Sequence, residues 1–347
     1  MFFASDNSGP VHPTVLDALT RANDGYAKSY GADDLTVSVT AQIRDLFEAP
    51  DAAVYLVATG TAANVLALSV LCQPFETVFC SDRAHIHEDE CNAPEFYTGG
   101  AKLTLVPGGD RMSPVALRKA IEGEENRGVH GPQRGAVSIT NVAELGNVYS
   151  LAEMQGLCSV AKEYNLPVHL DGARFSQACA ALQCTPAEMS WKLGVDVAVF
   201  GGTKNGLMGV EAVVIFDPKR AREFELRRKR GAHLFSKHRY LAAQMQAFLQ
   251  DDLWRDLANR SNATCSRLFD GLQRLGIDIV TEVPANLLFF RLPRHVHHTL
   301  LAQGAVYILM DPETGADDDL VTARLVCDWA QTHENVDAFL KLVEDAL

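Results

Sequence analysis

The chain has 347 residues, 47% of them hydrophobic and 22% charged, and carries a net charge of −13 at pH 7. That balance fits a soluble globular protein with room for one large domain and a smaller one. It excludes a nucleic-acid or membrane-surface binder built on excess positive charge, and no uninterrupted apolar stretch is long enough to span a bilayer.

The first residues reach Asp6 without a basic start and an apolar run, so no secretory signal is expected. From about residue 50 to 216, short apolar runs alternate with helical patterns. Strands are expected at 54–58, 78–81, 103–106, 136–140, 168–171, 197–201 and 212–216. Helices are expected between them at 62–72, 114–122, 151–164 and 186–193. Such alternation predicts a mostly parallel seven-stranded sheet covered by helices on both faces. The link from Gly201 to Glu211 is too short for a crossover helix, so one strand should run antiparallel. After Pro218 the pattern is helical to about Leu275, with breaks near Gly231 and Gln250. Short strands at 277–281, 286–291, 305–309 and 321–326, with helices at 296–303 and 334–346, predict a smaller α+β domain. The basic run at 227–230 reads as a solvated helix face; phosphate or carboxylate contact across a subunit interface is the alternative. None of the eight cysteines forms a Cys-x-x-Cys pair, which points to reduced thiols and the cytoplasm.

Two strand ends carry charge that could do chemistry. One is Val168-His169-Leu170-Asp171-Gly172-Ala173-Arg174; the other is Val199-Phe200-Gly201-Gly202-Thr203-Lys204-Asn205. Ligands of parallel sheets bind at the carboxyl ends of strands, where both fall. A carboxylate that holds a pyridinium nitrogen and a lysine that forms a Schiff base are the groups pyridoxal phosphate most needs. Asp171 alone could instead cap a helix, Lys204 could be a solvated turn residue, and Arg174 a solvated first-turn arginine. In its functional reading Arg174 grips a carboxylate with two hydrogen bonds. Thr59-Gly60-Thr61-Ala62-Ala63-Asn64 opens a helix after the first strand. Its amides could hold an anion, or its threonines could only cap the helix. His85 follows another strand end and could stack on a flat cofactor and move protons. A metal site of His85, His87 and Glu90 lacks further ligands at suitable spacing, and no metal is expected. His295, His297 and His298 read as exposed helix-start residues.

Taken in order, these segments resemble the L-threonine aldolase family of pyridoxal-phosphate enzymes. The resemblance rests on Ser5-Asp6-Asn7, Gly60-Thr61-Ala62-Ala63-Asn64, Ala84-His85, His169-Leu170-Asp171-Gly172-Ala173-Arg174, Thr203-Lys204-Asn205-Gly206 and Ala323-Arg324-Leu325. The His-x-Asp-Gly-Ala-Arg string is the most specific of them. The resemblance implies an aspartate-aminotransferase type of fold, with residues 1–12 contributing to the active site, 13–240 forming the large cofactor-binding domain and 241–347 the small one. It implies a homotetramer built from dimers, and an amino-acid substrate cleaved to glycine and an aldehyde. Lys204 would bond the cofactor and Asp171 would pair with its ring nitrogen. Gly60 and Thr61, assisted by Thr203, would bind its phosphate, and His85 would stack on its ring. Ser5, Arg174 and Arg324 would hold the substrate carboxylate. His130 falls where the family often has a second active-site histidine near the substrate hydroxyl, so His85 or His130 would be the base. Three departures stand out. Thr203 and Asn205 flank the lysine where Ser and Gly are commoner. Lys237 is the nearest counterpart of an arginine that reaches phosphate from a neighbouring subunit. Thr140-Asn141-Val142-Ala143-Glu144 replaces a Glu-Asn-Thr-His-Asn segment. The sequence alone also allows a β-eliminating lyase, an aminotransferase or a cofactor-free binding protein.

Overall fold

In the computed structural model of the chain, which describes residues 1–312 and 314–347, the first set of apolar runs forms one seven-stranded sheet. Its strands are β1 (Ala53–Val57), β2 (Glu76–Ser81), β3 (Lys102–Val106), β4 (Gln133–Thr140), β5 (Val168–Asp171), β6 (Val197–Gly201) and β7 (Glu211–Ile215). Their spatial order is β1-β7-β6-β5-β4-β2-β3. From β3 to β6 the pairings are parallel. β7 runs antiparallel to both β6 and β1, as its short connection requires. It therefore enters the sheet at the edge where its neighbours leave, and Glu211 is in register with both Val57 and Gly201.

The strands are apolar on both faces because both are covered. Val197 and Val199 pack with the helix Gly60–Leu71, whose small residues allow a close approach. Ala198 and Phe200 face the other way. There the Phe200 ring centre lies 5.5–5.8 Å from those of Phe47, Phe175, Phe248 and Trp254. A buried phenylalanine of this kind stabilises by about 1.5–3 kcal/mol.

A second sheet holds β8 (Asp278–Ile279), β9 (Leu287–Pro293), β10 (Ile308–Leu309) and β11 (Leu320–Val326). Its order is β10-β11-β9-β8, antiparallel throughout. Leu288, Phe290, Ala323 and Leu325 pack there against the helices Leu253–Arg274, Arg294–Ala302 and His333–Ala346. The chain's start joins this sheet: the Phe3 amide donates to Val306 (2.7 Å) and the Val326 amide to the Phe3 carbonyl (2.8 Å).

The helical stretch after Pro218 breaks where expected, into Ala221–Arg230, Arg239–Leu249 and Leu253–Arg274. Asp251 and Asp252, both left-handed at φ +52 and +54, make the second break. The 186–193 segment is not a helix. One turn ends at Ser190, whose φ −128 and ψ −109 lie outside helical space, and only Trp191–Leu193 closes a further 3-10 turn before left-handed Gly194. Two helices without a counterpart in the strand–helix alternation, Pro13–Ala22 and Asp34–Leu46, precede β1. Among the described residues no helix is long and apolar enough to cross a membrane.

Candidate active site

The carboxyl ends of β1, β2, β4, β5 and β6, and the start of β7, converge on one edge of the large sheet. Asp171 ends β5 and is 2% exposed. Its Oδ1 accepts the Ala173 amide at 3.1 Å and its Oδ2 accepts Asn64 Nδ2 at 3.0 Å. The turns after β5 and β6 press together. A Cβ on Gly172 would lie 2.0 Å from the Val199 carbonyl oxygen, and one on Gly201 would lie 2.6 Å from that of Gly172. Glycine at both positions thus fixes the loops bearing Asp171 and Lys204 relative to each other.

Lys204 sits in a 3-10 turn, Thr203–Asn205, partly buried and without hydrogen bond or ion pair among the described residues. Its flanks are held from beneath. The buried Glu211 carboxylate accepts the Gly202 amide (2.8 Å) and the Thr203 hydroxyl (2.5 Å). Asn205 donates to the Trp254 carbonyl (2.8 Å) and accepts from Gln177 (3.2 Å). The two residues that looked unusual beside the lysine therefore anchor its turn, and the Thr203 hydroxyl is engaged by Glu211. Burial pushes the Glu211 carboxyl up to about 7, against the opposing hydrogen bonds from Thr203 and Gly202.

His85 opens a short helix after β2. Its Nδ1 and Asn64 Nδ2 both contact Glu90 Oε1 at 2.8 Å, which links the imidazole through Glu90 and Asn64 to Asp171. The hydrogen bond to Glu90 raises the His85 pKa, and burial raises that of Glu90. One donor atom from each of His85, Glu90 and Asp171 lies within 4.8 Å of the others. Hydrogen bonds among these groups and Asn64 account for that closeness, and His87 is exposed and outside the cluster.

The two arginines meet at the N-terminal segment. Arg174 forms a bidentate pair with Asp6, Nε to Oδ2 at 2.7 Å and Nη2 to Oδ1 at 3.0 Å, both side chains buried. Asn286 adds a third donor to Asp6 (3.1 Å). Despite burial, Arg174, Lys204 and these hydrogen bonds hold the Asp6 carboxyl below its ordinary value. Arg324 reaches the Ala4 carbonyl through Nη2 (3.3 Å), while its buried Nε has no partner among the described residues. Burial and the like charge of Arg174 lower its pKa. Asp6 pairs with Arg174 alone, so the guanidinium of Arg324 is left to suit an incoming carboxylate. Ser5 caps the Asp6–Ser8 turn by accepting the Asn7 amide (3.1 Å). Sequence reasoning named Ser5 and passed over Asp6, whose partner lies 168 residues away.

Thr59 caps the helix Gly60–Leu71 by accepting the Ala62 amide (3.1 Å). A Cβ on Gly60 would meet nothing within 4 Å, and the amides of Gly60 and Thr61, at the helix start, have no acceptor among the described residues. Two expected residues are not brought to the site within the chain. His130 is exposed in a 3-10 turn before Gln133, at the amino end of β4, a strand length of roughly 20–25 Å from the edge that carries Asp171. Lys237 is exposed on the segment between two helices, without a partner among the described residues.

An open helix start, a buried carboxylate, an unpaired lysine and an imidazole suit pyridoxal phosphate, which has an anionic phosphate, a basic ring nitrogen, an aldehyde and a flat face. Comparison with known proteins agrees. Residues 3–293 match the model of the beta-eliminating lyase family. The chain is 39% identical over 337 residues to a low specificity L-threonine aldolase of Pseudomonas aeruginosa, covering 96% of this chain and 94% of that protein. The solved Leishmania major threonine aldolase superposes with a TM-score of 0.92 at 27% identity, covering 99% of this chain and 98% of that one. A serine palmitoyltransferase variant from S. paucimobilis with a bound pyridoxal-phosphate–myriocin aldimine shares the fold at TM-score 0.69 and 18% identity, covering 100% of this chain and 87% of that one.

Proposed function

The chain belongs to the beta-eliminating lyase family, and from that premise we propose that it is a pyridoxal-phosphate carbon–carbon lyase. It would cleave L-threonine, L-allo-threonine or related β-hydroxy-α-amino acids such as phenylserine to glycine and an aldehyde. The observation that carries this reading is Lys204, without hydrogen bond or ion pair among the described residues, beside buried Asp171 on one sheet edge, with Arg174 and Arg324 nearby. Bound pyridoxal phosphate would supply a sink for the electron pair released when Cα–Cβ breaks. Lys204 is the amine that would bond it and later yield to the substrate amine. Asp171, oriented by Asn64 and the Ala173 amide, would keep the ring nitrogen protonated. The Gly60 and Thr61 amides would take the phosphate, and His85, turned by Glu90, would lie against the ring.

Arg324 would be the principal grip on the substrate carboxylate, because the fork of Arg174 is already occupied by Asp6. Arg174 would add its charge and its remaining edge. Fixing the carboxylate would hold the substrate in one orientation, and that orientation would select Cα–Cβ as the bond that breaks.

We assign residues 1–12 to the site, 13–240 to the large domain and 241–347 to the small one. The separate apolar cluster of the second sheet supports two domains, while helix Arg239–Leu249, which straddles the boundary, packs with the core of the large one. A homotetramer of paired dimers follows from the family resemblance; sedimentation to a mass other than four chains would reject it. Eight unpaired cysteines, seven of them buried, support a cytoplasmic home. The activity is tested by mixing the purified protein with pyridoxal phosphate and L-threonine, L-allo-threonine or phenylserine, then assaying aldehyde. Aldehyde and glycine in equal amounts are expected. Keto acid without aldehyde would identify an eliminating lyase or an aminotransferase instead.

A further inference from the structure

We propose that Glu144 is the base that takes the β-hydroxyl proton of the substrate, an assignment that rests on the aldol-cleavage reading above. Glu144 lies in the segment after β4, where the sequence departs from its family's commoner pattern. Its main chain is pinned on both sides. The Asn141 amide donates to the Asp171 carbonyl (3.1 Å), and the Ala143 amide to the Asn147 carbonyl (2.9 Å). The Leu145 amide and Asn147 Nδ2 both donate to buried Asp110, at 3.1 and 3.0 Å. Gly146, at φ +88, packs so tightly that a Cβ there would come 2.8 Å from the Leu287 carbonyl oxygen.

The side chain itself is uncommitted. It is partly buried and makes no hydrogen bond or ion pair among the described residues. Yet the charges of Arg174, Lys204, His85 and Asp171, and of Arg324 from the second sheet, all act on it, and the backbone of its segment is bonded to the strand end that carries Asp171. These are the groups assigned above to substrate carboxylate, cofactor amine, stacking ring and ring nitrogen, so Glu144 belongs to the same cluster of charges. A carboxylate held between cations without pairing to any is available to a ligand's hydroxyl. Burial raises the Glu144 carboxyl above its ordinary value, although Arg174, Lys204 and His85 oppose the shift; that makes it a better proton acceptor. His85 is the poorer candidate, because its Nδ1 is spent on Glu90 and that contact favours the protonated ring.

In the step proposed, the β-O–H bond breaks and the proton passes to Glu144. The oxygen's electrons form the aldehyde C=O as Cα–Cβ breaks. The glycyl carbon keeps the released pair until it takes up a proton, and Glu144 returns its own to solvent or to that carbon. No oxidant or reductant is needed.

The test compares the holoenzyme with Glu144→Gln, which keeps shape and removes basicity. Expected is a fall in kcat for aldehyde release of about a hundredfold or more, with loss of the acidic limb of the pH–rate profile. Glycine affinity, read from the change in cofactor absorption on titration, should be no weaker than in the wild type. The infrared difference between the two proteins should show one carboxyl titrating above the ordinary carboxylate range. A variant within threefold of wild-type kcat, an unchanged acidic limb, or weakened glycine binding in step with kcat would each overturn the assignment. A wild-type protein that releases no aldehyde from any of the three substrates would instead sink the reaction itself.

Discussion

Replacing Glu211 by glutamine should make the protein progressively more stable, relative to the wild type, as pH rises. Burial lifts the Glu211 carboxyl from the ordinary 4.5 to about 7. The folded state thus binds this proton more tightly than the unfolded chain does. The group's contribution is full below pH 4.5 and is lost as pH climbs through 7. At about 1.4 kcal/mol per pH unit, the loss amounts to about 3 kcal/mol. The neutral acid loses no partner: one oxygen still accepts the Gly202 amide while its O–H turns toward Thr203, whose hydroxyl can accept as well as donate. A side-chain amide can make the same two contacts. Urea unfolding of both proteins, without cofactor so that binding does not move the midpoint, should give curves whose separation changes by about 3 kcal/mol between pH 4.5 and 8, in favour of Glu211→Gln. A separation that stays constant over that range would refute the reasoning and show that Glu211 is ionised throughout, held by its two donors and Lys204.

Other expectations concern the site directly. Lys204→Ala should abolish aldehyde release and the absorption band that pyridoxal phosphate acquires on bonding to a protein amine; a retained band would reject the lysine assignment. Asp6→Ala strands the buried Arg174 charge, so chemical denaturation should show a loss of about 3–5 kcal/mol. Asp6 itself, with its carboxyl held low, adds stability above its ordinary value of 3.8 that fades as pH falls below it. Arg324→Ala removes charge-assisted hydrogen bonds of about 1.5–3 kcal/mol, so kcat/KM for L-threonine should fall roughly ten- to a hundredfold. An unchanged value would move the carboxylate grip to Arg174.

The sheet was readable because its strands are buried on both faces and so appear as unbroken apolar runs. The reversed strand β7 was readable from the length of one link. Asp171 and Lys204 were readable because charge closes an apolar strand. Other residues left no such mark. Glu211 opens a strand, where an acid ordinarily signals solvent, and only the pairing of β7 with β6 shows that it is buried beneath the lysine turn. Asp6 is one acid in a polar segment until the fold brings Arg174 to it. Glu144 appeared only as a mismatch to a pattern. His130 was named by likeness to relatives, and within the chain it lies at the strand end opposite the one that carries Asp171.

The contacts of the first six residues also bear on how the enzyme comes into being. Phe3 is held by Val306 and Val326, and Asp6 by Arg174 and Asn286, 168 and 280 positions further along. During synthesis the leading residues therefore have nowhere to dock until most of the chain has followed. The large sheet can assemble early around its own core, but the pocket that would recognise a carboxylate is completed last, by joining the chain's beginning to the second sheet. Contacts of such span are slow to form. A nascent or truncated chain would hold the lysine and its acid in place and still lack the means to orient a substrate.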